Sequence, residues 1–148
     1  MTTPDQHAHL ERPEYDPWVL VNLLRFNHRV LSEDGGSASG TDIYEQFQER
    51  CRPVLERFGA TVLWAGDARF AVAGLSRSTP PEGQPQWDRV VLVRYPTAAA
   101  YRAFIGDPEF RQALSIKDAA VAETEILVCA PDGQFEPSAK LADGATGV

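Results

Sequence analysis

The side chains of this sequence that can do chemistry are few, and the first is Lys117. It falls on the stripe Phe110, Leu114, Lys117 and Val121, spaced as one face of a helix. A lysine so placed either carries its ammonium past the core to solvent or turns it into a pocket, where lost hydration lowers its pKa. In the pocket it binds a carboxylate or enolate, or acts as a base. His28 follows an apolar run and is the single histidine in the body of the chain. Its ordinary pKa lies near neutrality, which suits acid–base work, although a loop histidine is also what simple exposure gives. Asn22 interrupts that same apolar run. A buried amide needs partners, supplied either by the fold or by a substrate carbonyl. Arg25 and Arg94 stand near strand ends, as solvated charges or as an anion clamp. Tyr44, Trp64, Trp87, Tyr95 and Tyr101 each join an apolar ring to a polar handle, which suits core packing or the wall of a cavity for a planar ligand.

Other chemistries lack their residues. His7 and His9 form an H-x-H without a third ligand at matching spacing, so no metal is expected. No G-x-G-x-x-G follows a strand, and there is no Walker loop and no G-x-S-x-G elbow, so no cofactor is expected either. Cys51 and Cys129 are too few and too far apart for a disulfide framework and are expected as free, mostly buried thiols.

The elements that must position these residues can be followed along the chain. Trp18 to Phe26 is an almost continuous apolar run of strand length, expected to be covered on both faces. SEDGGSASG reads as a loop, after which Thr41 is expected to cap a helix that carries Ile43, Phe47, Cys51, Val54 and Phe58. Gly59 ends that helix, and Pro53 inside it is expected to kink or split it. ATVLWAG and RFAVAGL read as two short strands of a hairpin around Asp67, followed by the Pro-rich loop STPPEGQPQ. WDRVVLVRYP is a clean strand. Thr97 caps a short helix through Phe104, Asp107 and Pro108 start another, and TEILVCAP is a last strand. This order approaches the β-α-β-β-α-β ferredoxin-like pattern with one strand to spare. An open sheet with helices on one side leaves an apolar face, which a homodimer would bury.

The domain is expected over residues 15–131, with loosely attached tails at 1–14 and 132–148. The formal charge of −7 opposes binding to phosphate backbones and to anionic membranes, so neither nucleic acid nor membrane is an expected partner. The apolar run at Trp18 stops at Asn22, far short of the about 20 residues that cross hydrocarbon. The polar, acidic N-terminus has no basic end and apolar core of a secretory signal, which makes the cytoplasm the expected location.

The segment WDRVVLVRYPTAAAYRAFIGDPEFRQALSIKDAAVAETEILVCAP, with the opening VNLLRF and the helix after SGTDIYEQF, resembles the bacterial family called domain of unknown function 1330 over about residues 18–131. The resemblance implies an α+β ferredoxin-like sandwich forming a dimeric α+β barrel, an architecture shared with cofactor-free monooxygenases and polyketide cyclases. It also implies an arginine in the middle of the last helix, where this chain has Lys117, which keeps the charge but loses the bidentate fork. The reading that follows is a cofactor-independent enzyme acting on a carbonyl-bearing, polyketide-like substrate by proton transfer, cyclisation or oxidation, with Lys117 or His28 as acid or base. The competing reading is a non-catalytic dimer that binds a metabolite or serves assembly.

Overall fold

In a computed structural model of the chain, which describes residues 12–32, 34–74 and 83–131, the first apolar run becomes strand β1 (Trp18–Phe26). Its alternation gives its two faces different fates. Trp18, Leu20, Leu24 and Phe26 are buried beneath helices, whereas Val19, Val21, Leu23 and Arg25 point away and remain half-buried. Cover on both faces was the expectation. Among the described residues helices cover only one.

The loop that follows holds a minimal hairpin, β2 (Val30–Leu31) with β3 (Ser37–Ala38), which composition did not suggest. Helix α1 (Gly40–Arg57) then begins two residues before the expected site. Its cap is Ser39, whose Oγ accepts from the Asp42 N–H at 3.1 Å, and not Thr41. Glycine makes the earlier start possible. Gly40 N–H donates to Asn27 O at 2.9 Å, and a Cβ there would lie 2.2 Å from that oxygen. Pro53 does not split the helix, and Gly59 closes it with φ +74°.

Strand β4 (Thr61–Asp67) does not form a hairpin with the segment after it. Residues 68–74 make no strand, since Phe70 and Val72 are 70% and 90% exposed and find nothing to pack against, while Leu75 lies outside the described residues. β4 pairs instead with β5 (Arg89–Tyr95). A register shift between Val62 and Trp64 leaves Leu63 out of the ladder. Val62 therefore faces the helices opposite Val93, while Trp64 lies on the other face over Gly66.

Helices α2 (Ala98–Gly106) and α3 (Pro108–Ala120) start as expected. Thr97 Oγ1 accepts from Ala100 N–H at 3.0 Å, and Asp107 Oδ1 accepts from Glu109 N–H at 2.9 Å. Strand β6 (Val121–Cys129) follows α3 without a loop, so Val121 opens the strand and does not sit on the helix stripe. The main sheet is antiparallel in the order β4-β5-β1-β6. With the spare strand gone, the first and third of its four strands lie in the centre, which is the ferredoxin-like arrangement.

A chain of ring contacts ties the helices to the sheet. It runs from Phe26 through Tyr44, Phe47, Phe110, Phe104, Tyr95 and Tyr101 to Trp18, with centroids 4.5–6.2 Å apart. Trp18 also donates from Nε1 to Arg12 O at 3.0 Å, so a short 3-10 turn, Pro13–Tyr15, packs on the domain where a loose tail was expected. The rest of both expected tails lies outside the described residues. Cys51 is buried as expected, but Cys129 is exposed, because its edge strand shows its outer face to solvent. No helix among the described residues is long and apolar enough to cross a membrane.

Candidate functional site

The helices stand off the sheet far enough to leave a cleft of about 750 Å³ between the layers. Its floor is the helix-facing row of the sheet, with Leu20, Asn22, Val91, Val93 and Ile126. Its walls are Tyr44, Phe47, Cys51 and Leu55 from α1, Tyr101 and Phe104 from α2, and Phe110 and Lys117 from α3. The outward residues of α1 and Val62 of β4 line its mouth.

Apolar surface dominates, so the polar groups are easily counted. Asn22 sits where its neighbours on β1 are leucines; its Nδ2 donates to Val91 O at 3.2 Å, leaving the amide oxygen unpaired among the described residues. The hydroxyls of Tyr44, Tyr95 and Tyr101 make no hydrogen bond to another described residue. Burial pushes the Tyr44 pKa up to about 12 and raises those of Tyr95 and Tyr101, so all three remain donors at neutral pH. Lys117 turns inward from α3, with Nζ 5.9 Å from the centre of the Phe47 ring. Desolvation lowers its pKa, against the opposing pull of Asp118. Burial raises Cys51 to about 11, partly offset by the Lys117 charge, which leaves a thiol and not a nucleophilic thiolate.

The structure thus brings together Asn22, Tyr44, Tyr95, Tyr101 and Lys117 from the residues singled out in the sequence. The others do not line the cleft. His28 occupies an exposed bend after β1, and Trp87 precedes β5 in the connecting segment. Arg25, Arg94 and Trp64 stand on the opposite face of the sheet, and Arg25 is paired there with Glu123.

One residue of the region went unnoticed. Arg89, 8% exposed, lies on the helix-facing side of β5 at the end of the mouth. Its Nε donates to Asp67 Oδ1 at 2.7 Å and its Nη1 to Gln48 Oε1 at 3.2 Å, while its guanidinium lies 5.9 Å from the centre of the Tyr44 ring. It joins the edge strand to α1 and supports a tyrosine of the cleft. The signal was the alternation Arg89, Val91, Val93, Tyr95, which places the arginine on the buried row. Among the described residues no group of three or more His, Cys, Asp or Glu side chains is arranged to hold a metal ion.

A ferredoxin-like domain with an amphipathic cleft between its layers is the class that fold and site define. The chain belongs to the family described as domain of unknown function DUF1330, whose sequence model matches residues 38–130. It is similar to the protein of unknown function RPA0582 from Rhodopseudomonas palustris, at 28% identity and a TM-score of 0.68, over 93% of this chain and 97% of that one. The methylated form of RPA0582 gives a TM-score of 0.70 at 28% identity, over 92% of this chain and 96% of that one. An uncharacterised NIPSNAP domain protein from Burkholderia xenovorans shares the fold at 13% identity and a TM-score of 0.52, over 82% of this chain and 99% of that one. No curated protein matches the chain.

Proposed function

We propose that this protein is a small-molecule enzyme that uses the cleft to move a proton on a carbonyl-bearing substrate without a cofactor. The observation that carries the reading is Lys117, an amine of lowered pKa facing an apolar cleft that also holds three protonated tyrosine hydroxyls. A neutral amine removes a proton from the carbon beside the carbonyl, and the electron pair moves onto the carbonyl oxygen. The tyrosine hydroxyls donate hydrogen bonds to that oxygen as its charge develops. The ammonium then returns the proton to another carbon, which isomerises the substrate, or, where the carbanion has first added to a second carbonyl of the same molecule and closed a ring, to the alkoxide so formed; neither course changes the overall oxidation state. The aromatic walls favour a flat, polyketide-like substrate. Self-association through the uncovered sheet face belongs to the same reading, since Val21, Leu23, Leu92, Trp64 and Leu127 form an apolar surface there.

The test is solvent deuterium exchange, followed by NMR, on a panel of cyclic diketones, aromatic polyketides and small keto acids. We expect at least one compound to exchange, Lys117→Met to slow it at least a hundredfold, and His28→Ala to leave it unchanged. Exchange at the wild-type rate in Lys117→Met overturns the assignment of the base. A compound that raises Tm but neither exchanges nor converts makes the protein a binding module.

A further inference from the structure

We infer that the amide oxygen of Asn22 selects the substrate: it accepts a hydrogen bond from a hydroxyl, so the cleft takes a carbonyl compound that also carries a phenolic or enolic O–H. This deepens the proton-transfer reading above and rests on it.

The side-chain amide of Asn22 has one tenable orientation. It stands on the helix-facing row of β1 between Leu20 and Leu24, directly opposite Val91 on β5 and Ile126 on β6. Its Nδ2 donates to Val91 O at 3.2 Å. Turning the amide over would set Oδ1 against that carbonyl oxygen, and two acceptors repel. All four of its neighbours on the floor are apolar, so none offers Oδ1 a side-chain donor. Among the described residues no fully buried side-chain nitrogen or oxygen lacks a partner. Oδ1 has none, and so it keeps accessible surface, which on this side of the sheet opens into the cleft.

The other polar groups behind the mouth carry protons of their own. The hydroxyls of Tyr44, Tyr95 and Tyr101 and the amine of Lys117 can all donate, whereas Asn22 Oδ1 only accepts. The carboxylates of Asp42, Glu45 and Glu49 belong to α1 at the mouth, where water reaches them. The donors also flank the amide. Tyr95 is four residues along β5 from Val91, about 13 Å at the rise of a strand. Tyr44 packs on Phe26 at the opposite end of β1, with ring centroids 5.3 Å apart. Lys117 enters from the helix layer beside Phe47.

A flat ligand on this floor brings its carbonyl to the donors and covers Oδ1 with another part of its body. A C–H or an ether oxygen laid there expels water and returns no hydrogen bond, and the stripped acceptor weakens binding. An O–H restores the bond. A phenolic or enolic hydroxyl suits the position, because it lies in the plane of the conjugated system and donates strongly. Sites built around such a bond reject the analogue that lacks it far better than apolar pockets reject a changed methylene.

The test is isothermal titration calorimetry on the full chain with meta- and para-hydroxyacetophenone and the hydroxyacetonaphthones, each beside its methyl ether and its parent ketone. We expect at least one hydroxy ketone to bind roughly tenfold or more tighter than both of its analogues. In Asn22→Leu, checked for folding by circular dichroism, the hydroxy ketone should lose that advantage while the parent ketone binds no worse. Asn22→Ala serves if the leucine variant does not fold. No preference in the wild type, or one that persists in either variant, overturns the assignment, and a series in which nothing binds overturns the substrate class with it. Solvent deuterium exchange on the same compounds separates the two readings. Exchange without a hydroxyl preference leaves proton transfer standing and removes the role of Asn22, whereas a preference lost on substitution, without exchange, keeps the acceptor and makes the protein a binder.

Discussion

At the scale of single residues the molecule is most exposed to test at Lys117 and the tyrosines. Burial makes the Lys117 ammonium harder to hold in the folded chain than in the unfolded one. Folding therefore carries a penalty at every pH below the folded pKa, and the penalty fades as pH rises from there toward the ordinary lysine value. Lys117→Met should be more stable than the wild type at pH 7, raising Tm by roughly 2–4 °C for each kcal/mol relieved, with the gap closing toward pH 10. Calorimetry across that range measures it, and equal Tm values at pH 7 would mean that the ammonium reaches solvent past the core. The tyrosines have the opposite slope. Their raised values let the unfolded chain ionise first, so stability present below pH 10 should drain away as pH climbs toward 12. Tyr44→Phe should flatten that loss, read as alkaline unfolding together with phenolate absorbance. The position of Lys117 on its stripe was legible from spacing alone, but which way its amine turned was not, because spacing does not reveal how far the helices stand off the sheet.

Single elements depend on a few close contacts at their ends. Asp107 caps α3 through Oδ1, and its Oδ2 accepts from Arg57 at 2.9 Å, so one buried carboxylate starts α3 and ties it to the end of α1. Asp107→Ala should cost about 1–2 kcal/mol, most of it from the cap because the Arg57 partner is half exposed. Gly40 is the tighter point. A Cβ there would meet Asn27 O at 2.2 Å and Ala120 O at 2.7 Å, where the end of β1, the start of α1 and the end of α3 converge. Gly40→Ala should lower stability by roughly 1–3 kcal/mol, the opposite of its usual effect in a helix, and urea midpoints for the two variants check both figures. The caps Thr97 and Asp107, the Pro108 start and the glycine closure at Gly59 were readable because their rules are local. Ser39 displaced Thr41 as the first cap because a backbone contact distant in sequence fixed where α1 begins. The strand expected at RFAVAGL had the right alternation and no surface to pack on.

At the scale of the whole molecule, four strands and their helices were ordered correctly from sequence, since apolar periodicity encodes which elements form and chain order limits how they connect. A pocket between sheet and helices was expected, but its size and lining were not legible, being set by the space left between layers and belonging to no one segment. The division of polar residues between the two sides of the sheet, which sends Asn22 inward and Arg25 and Arg94 outward, follows the same alternation that places Arg89, but which row is the buried one is decided by the helices. If that outward side mediates pairing, unfolding should depend on protein concentration, with Tm rising as the protein is concentrated from micromolar upward. A Tm that stays fixed over a hundredfold range, measured by scanning calorimetry, would contradict it. The irregularity at Leu63 acquires its meaning here. One unpaired residue lets a single edge strand lend Val62 to the interior and Trp64 to the exterior, although the two are only two positions apart. Deleting Leu63 would restore a regular ladder in which Val62 and Trp64, then adjacent, keep their opposite faces, so the edge strand tolerates loss of this one residue without exchanging an interior side chain for an exterior one.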